Sequence, residues 1–330
     1  MRNSALTLLA VLAFIFAGCE TSPPVNVEND IFGGLVVSGS PQGAAIFVDG
    51  VNTGKTLPDT VTVKAGIRSV RIEKDGFISE TRSVTVPGYA ITEEVFNLAP
   101  VTEQKLVVLE DFANVSCVPC VTSNRIIQSL KSGTYTPSQL LVIKYHMNYP
   151  SPQDPFYQAN KTQINARGQL YYVLSTPTTY IDGQLKPVSS DSSQIKGYIN
   201  QQLAKPAQFR MNVSDSVAGG VIYAKVRINV LSMPQVDTND IILNVYALQT
   251  ETSFATPPGS NGETVFYDVV RGFFAGSGGI IPTIKQSGQE LSFDFAMATG
   301  NGWDLSKIKV VAFLQHKTTR EIYQAAYSLN

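Results

Sequence analysis

Two cysteines, Cys117 and Cys120, carry the strongest chemical signal in the sequence, because only a valine and a proline separate them. A c-type haem attachment requires a histidine directly after the second cysteine, and Val121 stands there. A structural zinc site needs four ligands, and the two thiolates with the distant His146 supply three at most. An inert reduced pair and a redox dithiol remain as alternatives.

A redox dithiol is the more coherent hypothesis in an oxidising compartment, where reduced pairs seldom persist. If a helix begins directly after Cys117, its backbone N–H groups and dipole favour the Cys117 thiolate. Cys120 then lies one turn inside the helix and is less exposed. It is placed to resolve a mixed disulfide formed by Cys117.

The third cysteine, Cys19, follows a positive start at Arg2, a short apolar run and the small residues Ala17 and Gly18. This pattern is typical of a secretory signal, and the run is shorter than the ~20 residues needed to span a bilayer. A cysteine at this place resembles the bacterial lipobox, although Phe16 stands where that pattern usually has Leu. The alternative is an ordinary signal cleavage that leaves Cys19 as a free thiol.

The lipobox resemblance implies that residues 1–18 are a signal peptide and that a lipid on Cys19 anchors the chain to a membrane. Residues 19–32 are polar and contain Pro23 and Pro24, so they form a tether. Because no later segment is apolar enough to cross a membrane, everything after Cys19 should lie on one side.

Length and composition predict a multidomain protein and exclude several classes. The 330 residues suggest about two domains at ~150 residues each. A content of 43% hydrophobic and 15% charged residues excludes a disordered chain. The net charge is -1 with no basic stripe, which excludes a nucleic-acid partner. With two histidines there is no His-rich metal site, and we predict neither a metal nor another cofactor.

Residues 33–99 contain short alternating strands separated by turn signals, which predict a small β-domain. The segment resembles a PEGA domain. The motifs that carry this resemblance are Ser40-Pro41-Gln42-Gly43-Ala44, Val48-Asp49-Gly50, Gly54-Lys55-Thr56, Ala65-Gly66 and Lys74-Asp75-Gly76-Phe77. The resemblance implies an envelope module with no established chemistry.

Residues 103–205 have the pattern of an α/β domain, with buried apolar strands alternating with helical segments. Residues 105–112 and 140–143 are nearly continuous apolar runs. Pro119 suits the first turn of a helix that Gly133 ends. Helices are also predicted over 158–170 and 195–203.

The stretch from Asp111 to Cys120 resembles the thioredoxin active site without a gap, the acidic residue lying six before the first cysteine. The resemblance implies that Cys117 is the nucleophile, Cys120 the resolving thiol and Asp111 a buried acid for proton transfer. It also implies that Thr176-Pro177 is the cis-proline loop that binds an extended substrate backbone. Ser116 replaces the usual tryptophan.

Two further polar residues near this stretch have ambiguous roles. Glu110 and Asp111 face opposite sides of a strand. We choose Asp111 as the acid by its spacing, and Glu110 is a sheet-edge or second-domain contact. His146 follows a strand, where a structural hydrogen bond competes with a proton shuttle.

Residues 207–330 are predicted to be an all-β domain. Two alternating runs flank Gly219-Gly220, a hairpin signal, and five more short strands follow between loops rich in Gly and Pro. Seven such strands favour a β-sandwich. The predicted fold is therefore multidomain α/β plus all-β: a PEGA-like β-domain, a thioredoxin-like domain and a C-terminal β-sandwich.

Residues 104–330 resemble the Omp-twenty-eight-related family of outer-membrane lipoproteins. The motifs that carry this resemblance are Val108-Leu109-Glu110-Asp111-Phe112, Cys117-Val118-Pro119-Cys120, His146, Asp154-Pro155-Phe156, Thr176-Pro177-Thr178, Ile181-Asp182-Gly183, Val269-Val270-Arg271-Gly272 and Val310-Val311-Ala312-Phe313-Leu314-Gln315. The resemblance implies a place in the cell envelope, at the outer membrane, and no established substrate.

Two functions follow as hypotheses. The first is thiol-disulfide exchange at Cys117 and Cys120 on protein thiols or disulfides of the envelope. The alternative is a non-catalytic lipoprotein in which the dithiol is a stable clasp and the β-domains serve adhesion or assembly. Exchange requires an exposed Cys117 of low pKa, and a clasp requires neither. No oligomeric state is indicated.

Overall fold

The computed structural model describes residues 30–100 and 103–329. The predicted signal peptide, Cys19 and residues 20–29 of the tether lie outside the described residues.

The N-terminal part is a small β-domain of two sheets. Its strands are β1 (Phe32–Ser40), β2 (Ala45–Val48), β3 (Val51–Thr56), β4 (Asp59–Lys64), β5 (Gly66–Glu73), β6 (Glu80–Val86) and β7 (Ile91–Asn97). The sheet orders are β4-β1-β7 and β3-β2-β5-β6. Alternation along each strand turns one face inward, and residues such as Leu35, Ile46 and Phe96 fill the core between the sheets.

The central part alternates strands and helices. Its elements are β8 (Val107–Ala113), α1 (Val118–Gly133), β9 (Leu140–His146), α2 (Pro155–Ala159), α3 (Lys161–Leu170), β10 (Thr178–Ile181) and α4 (Ser192–Leu203). β8 pairs with β9 in parallel and with β10 antiparallel. Every residue of β8 and β9 is buried, because α1 and α4 cover one face of the sheet while α2 and α3 pack on the other.

The C-terminal part is all-β. Its strands are β11 (Phe209–Ala218), β12 (Val221–Val230), β13 (Ile241–Ser253), β14 (Val265–Phe273), β15 (Glu290–Ala298), β16 (Ile308–His316) and β17 (Ile322–Tyr327). The hairpin predicted around Gly219-Gly220 joins β11 to β12.

One sheet crosses the boundary predicted near residue 206. Its order is β10-β8-β9-β14-β13-β16-β17, and β9 meets β14 in parallel at Lys144 and Val269. Strands β11, β12 and β15 form a second sheet that packs through a shared apolar core on β13 and β16. Four C-terminal strands therefore extend the α/β sheet, and the other three form a second layer packed on it. The sequence, in contrast, predicts a separate β-sandwich. The β-rich multidomain architecture itself agrees with the prediction.

Candidate functional site

Cys117 and Cys120 form a disulfide at the start of α1. Cys117 is the N-cap residue of the helix, and its Sγ accepts a hydrogen bond from the Cys120 amide at 3.2 Å. The cysteines are 2% and 0% exposed, whereas the intervening Val118 is 65% exposed. The dithiol is thus at the predicted helix terminus, but its sulfur atoms are shielded from solvent.

A loop from the C-terminal part packs on the chain just before Cys117. We call residues 254–264, which connect β13 to β14, the β13–β14 loop. Within it, the Ser260 amide donates to Ser116 Oγ at 3.2 Å, and the Asn261 amide donates to the Val115 carbonyl at 3.3 Å. Gly259 lies so close to Val115 that a Cβ on it would be 2.3 Å from the Val115 carbonyl oxygen.

Asp111 is fully buried on the face of the sheet that α1 covers. Lys144 Nζ on β9 lies 3.2 Å from Asp111 Oδ2, and Thr179 Oγ1 on β10 lies 3.1 Å from Oδ1. Lys144 also donates to the side-chain oxygen of Asn124 on α1. Asn124 in turn donates to both carboxylate oxygens of Glu263 in the β13–β14 loop, at 3.0 and 2.8 Å.

This polar chain of Asp111, Lys144, Asn124 and Glu263 connects the predicted acid to the loop near the disulfide. A cleft of about 250 Å³ lies along it between α1 and β14. The last three members are not predicted from the sequence, although a lysine within the apolar run of β9 is a visible signal of a buried partner.

Glu110 lies on the opposite face, where it is fully buried. Its Oε1 accepts from Arg167 Nε at 2.8 Å and from the Tyr145 hydroxyl at 2.8 Å, and Tyr171 donates to Oε2. Burial raises the pKa of Tyr171 well above its usual value, and the Glu110 charge raises it further. Arg167 also donates to Gln315 on β16 at 2.7 Å. Glu110 is therefore linked to the C-terminal part indirectly, through Arg167.

His146 has a fixed hydrogen-bond partner. Its Nδ1 lies 2.7 Å from Asp154 Oδ2, and the same oxygen accepts the Val115 amide at 2.8 Å. Burial by itself would raise the pKa of Asp154, but the His146 interaction and the backbone donors outweigh burial, so this pKa is lowered. Because an ionised carboxylate only accepts, His146 Nδ1 carries the proton. The pair fixes the chain just before the cysteines.

The Thr176–Pro177 peptide bond is cis, and it directly precedes β10. The Thr176 hydroxyl donates to the Tyr149 carbonyl at 3.2 Å. A neighbouring cleft of about 440 Å³ is lined by Met147, Tyr172, Leu174 and other residues of that region. Tyr172 and Leu174 are 81% and 91% exposed.

Two negative findings concern the described residues alone. Across residues 30–100 and 103–329, no three His, Cys, Asp or Glu side chains come together in a way that could hold a metal ion. Within the same ranges, no helix has the length and apolarity needed to cross a membrane.

Comparisons with known proteins identify one segment and one similar fold. Residues 32–100 match the PEGA domain family, which confirms the prediction for this segment. No curated protein matches the chain. HBP35 of Porphyromonas gingivalis has a TM-score of 0.60 at 16% identity, over 69% of this chain and 76% of that chain. This likeness shows a common fold.

Two further solved structures are more distant. Protein AGR_C_4864 from Agrobacterium tumefaciens has a TM-score of 0.45 at 13% identity, over 68% of this chain and 93% of that one. A domain of the outer membrane lipoprotein Omp28 from Porphyromonas gingivalis has a TM-score of 0.27 at 17% identity, over 38% of this chain and 89% of that domain.

Proposed function

We propose that the protein is a lipoprotein of the cell envelope with a binding or assembly function, in which the disulfide is a structural clasp. The observation that carries this proposal is the burial of both cysteines, directly after a segment that the β13–β14 loop contacts. A thiol-disulfide catalyst presents its nucleophilic cysteine to large substrates, and a cysteine residue that is 2% exposed does not meet that requirement. The anchor rests on the signal sequence and Cys19.

We assign a thioredoxin-like arrangement to residues 103–205 as part of this proposal. The parallel pairing of β8 with β9, the antiparallel β10 and the disulfide at the first turn of α1 support it. In this assignment the unit serves as a scaffold. Its edge strand β9 pairs with β14 of the C-terminal part, and its buried Glu110 is connected to that part through Arg167.

A clasp that joins residues three apart stabilises the protein modestly. The chain-entropy model gives about 2 kcal/mol for so short a loop. We expect the variant Cys117→Ser/Cys120→Ser to lose about this much free energy of unfolding while it keeps its fold and its localisation. Denaturant unfolding and membrane fractionation measure the two properties. If this double variant kept the stability of the wild type but lost a measurable thiol-disulfide exchange activity, the structural role of the disulfide would be contradicted.

Thiol accessibility tests the proposal directly. The oxidised full chain is treated with dithiothreitol, quenched with a maleimide and followed by mass, in native buffer and in guanidinium. We expect reduction in native buffer to be at least about 100-fold slower, because the disulfide must first become exposed by local opening. Equal rates in the two conditions would show that the sulfur atoms are accessible and would overturn the clasp.

Thiol-disulfide exchange is the second candidate, and the position of Cys117 as N-cap of α1 favours it. The Cys117 thiolate would attack a substrate disulfide and release one substrate thiolate, giving a mixed disulfide. The Cys120 thiolate would then attack Cys117 Sγ and release the second substrate thiol. The products are a reduced substrate and the Cys117–Cys120 disulfide, which a dithiol donor must reduce again. Asp111 would take up or supply the proton, and Thr176 and Pro177 would bind the substrate backbone.

The reduction potential of the pair separates the two functions. A value of about -120 to -270 mV is that of working exchange catalysts, and a value below about -300 mV is that of a structural disulfide. The clasp predicts the lower value. With a structural disulfide, Cys120→Ser should trap no mixed disulfide with envelope proteins. With thiol-disulfide exchange, Cys120→Ser should trap partner proteins, and Cys117→Ser should have no exchange activity.

A further inference from the structure

Five strands of the PEGA domain begin or end together at one end of the domain, which we call the tether end. There β1, β5 and β7 begin while β4 and β6 end. The β2–β3 turn points toward the same end but reaches only to the level of Val70, in the middle of β5. The register pairs that define the tether end are Phe32 with Lys64, Gly34 with Ile91, and Gly66 with Val86. The described chain also starts here, at Asp30.

Exposed apolar side chains are concentrated at the tether end. Within residues 30–100, eight large hydrophobic side chains are exposed, and five of them lie there. With their exposed fractions, the five are Ile31 (39%), Phe32 (47%), Ile67 (70%), Tyr89 (86%) and Ile91 (71%). Because single exposed hydrophobics are ordinary but a cluster is not, this end is a candidate contact surface.

The backbone holds this cluster, which we call the apolar tip, in place. The Tyr89 amide donates to the Phe32 carbonyl at 2.9 Å, and Gly34 donates to the Ala90 carbonyl at 2.9 Å. Tyr89 itself has φ of +59°, a left-handed conformation that is unfavourable for an aromatic residue. A solvent-exposed turn normally uses Gly or Asn at such a position, so an 86% exposed tyrosine there has no packing explanation.

Charges at the tether end are paired with each other. Lys64 Nζ lies 2.5 Å from Asp30 Oδ1, and Arg68 Nη1 lies 2.9 Å from Asp49 Oδ2. The tip therefore offers apolar and aromatic groups with balanced charge. Such a surface suits the interface between headgroups and acyl chains, where aromatic and aliphatic side chains are favoured.

The position of the tether determines which surface the tip can reach. Asp30 is the eleventh residue after Cys19, and a fully extended chain of eleven residues spans at most about 40 Å. The opposite end of the domain contacts the C-terminal part, where Ser287 Oγ donates to Ser79 Oγ at 2.9 Å. The tip is thus at the end that the anchor enters, on the side away from the rest of the protein.

We propose that the apolar tip rests in the headgroup layer of the membrane that holds the lipid on Cys19. The proposal depends on the anchor proposed above. In this arrangement the PEGA domain contacts the membrane and fixes the orientation of the protein on it. Because the charges are paired, this contact is insensitive to salt.

A fluorescence experiment on the full chain tests the contact. With Cys19 acylated and the other two cysteines in a disulfide, a new cysteine is the only free thiol. Ile91→Cys at the tip is labelled with the polarity-sensitive dye NBD, and Ile78→Cys, outside the tip and 42% exposed, is the matched control. Both are reconstituted into vesicles of phosphatidylethanolamine and phosphatidylglycerol that carry doxyl-labelled lipid, and flotation reports the anchor separately.

We expect the label at position 91 to show a blue-shifted emission and quenching by doxyl lipid at low and high salt, and the label at position 78 to show neither. Adding Tyr89→Ser and Ile67→Ser to the position 91 variant should reduce the quenching while flotation is unchanged. A chain that floats with an unquenched label at position 91 overturns the contact and leaves the anchor intact. A chain that does not float overturns both. A blue shift without vesicles that grows with protein concentration would identify a second copy as the occupant, and it also overturns the proposal.

Discussion

At the residue scale, the glycine at position 259 determines how closely the β13–β14 loop approaches Val115, two residues before Cys117. Its φ is not in the left-handed region, so the absence of a side chain matters here for contact distance and not for backbone freedom. A Cβ would be 2.3 Å from the Val115 carbonyl oxygen and 2.6 Å from Val115 Cγ2. Neither the backbone oxygen nor the buried valine can move away easily, so a methyl group must displace the loop.

We therefore expect Gly259→Ala to expose the disulfide. Overpacking of about 1–2 kcal/mol corresponds to a population of the open loop that is about 5–30 times larger. The rate of disulfide reduction by dithiothreitol in native buffer should rise by a similar factor. Gly278→Ala is the matched control, because a Cβ there meets nothing within 4 Å. An unchanged rate in Gly259→Ala would show that the loop does not control access to the sulfur atoms.

Asp154 also acts at this scale, because one carboxylate holds both His146 and the Val115 amide. The pKa of Asp154 is lowered on folding, so its ionised form stabilises the native state above the ordinary aspartate pKa of 3.8. This contribution is lost as the pH falls through the lowered pKa. Asp154→Asn should therefore have a lower free energy of unfolding than the wild type at pH 6, and the difference should shrink toward pH 2. Urea unfolding across this range measures it, and a difference that is independent of pH would contradict the assignment.

At the element scale, β8 connects two different polar systems through adjacent residues. Asp111 faces α1 and pairs with Lys144, while Glu110 faces α3 and pairs with Arg167. Alternation along a strand predicts this division from the sequence. The partners could not be predicted, because Arg167 and Gln315 are 57 and 205 residues further along the chain than Glu110, and no local pattern encodes such pairings.

The buried Glu110–Arg167 pair leads to a test of how α3 is fixed to the sheet. Removing one partner leaves a buried charge alone, which typically costs about 3–5 kcal/mol. We expect Glu110→Gln and Arg167→Met each to lose about this much, and the double variant to lose less than the two losses added together. A double-mutant cycle by guanidinium unfolding measures the coupling. Additive losses would show that the two side chains stabilise the fold independently.

The local elements around the cysteines were predictable from the sequence, and the environment of the cysteines was not. Pro119 and Gly133 indicated the ends of α1, and the apolar runs indicated β8 and β9. Ser116, directly before Cys117, contacts Ser260 of the β13–β14 loop, which is 144 residues further along the chain. The sequence shows that loop only as a stretch rich in Pro and Gly, which is typical of any connection between strands. The neighbouring contact between the Asn261 amide and the Val115 carbonyl is made by backbone atoms alone, which leave no signature in the residue types.

At the scale of the whole molecule, residues 103–205 and 207–329 share one core. Phe112 and Tyr145 of the α/β part pack in the same apolar cluster as Tyr246, Phe273 and Phe313 of the C-terminal part. The PEGA domain has its own core, made only of residues between 35 and 98. Cooperative units of folding should follow these cores and not the boundaries that sequence patterns suggest.

This division predicts how fragments of the chain behave. Residues 30–100 should fold alone, since their core is complete. Residues 103–205 should not, because without β14 the apolar strand β9 becomes an exposed edge, Arg167 loses Gln315, and three of the eight buried aromatic residues of the shared cluster are missing. Residues 103–329 should fold as one unit with a single thermal transition. Heteronuclear NMR spectra and calorimetry of the three fragments measure this.

A dispersed spectrum and cooperative unfolding of residues 103–205 would show that the α/β part is an independent domain that the C-terminal strands merely extend. A spectrum of unfolded chain would show that the cysteine site can form only when the C-terminal part is present, as expected if the β13–β14 loop belongs to it.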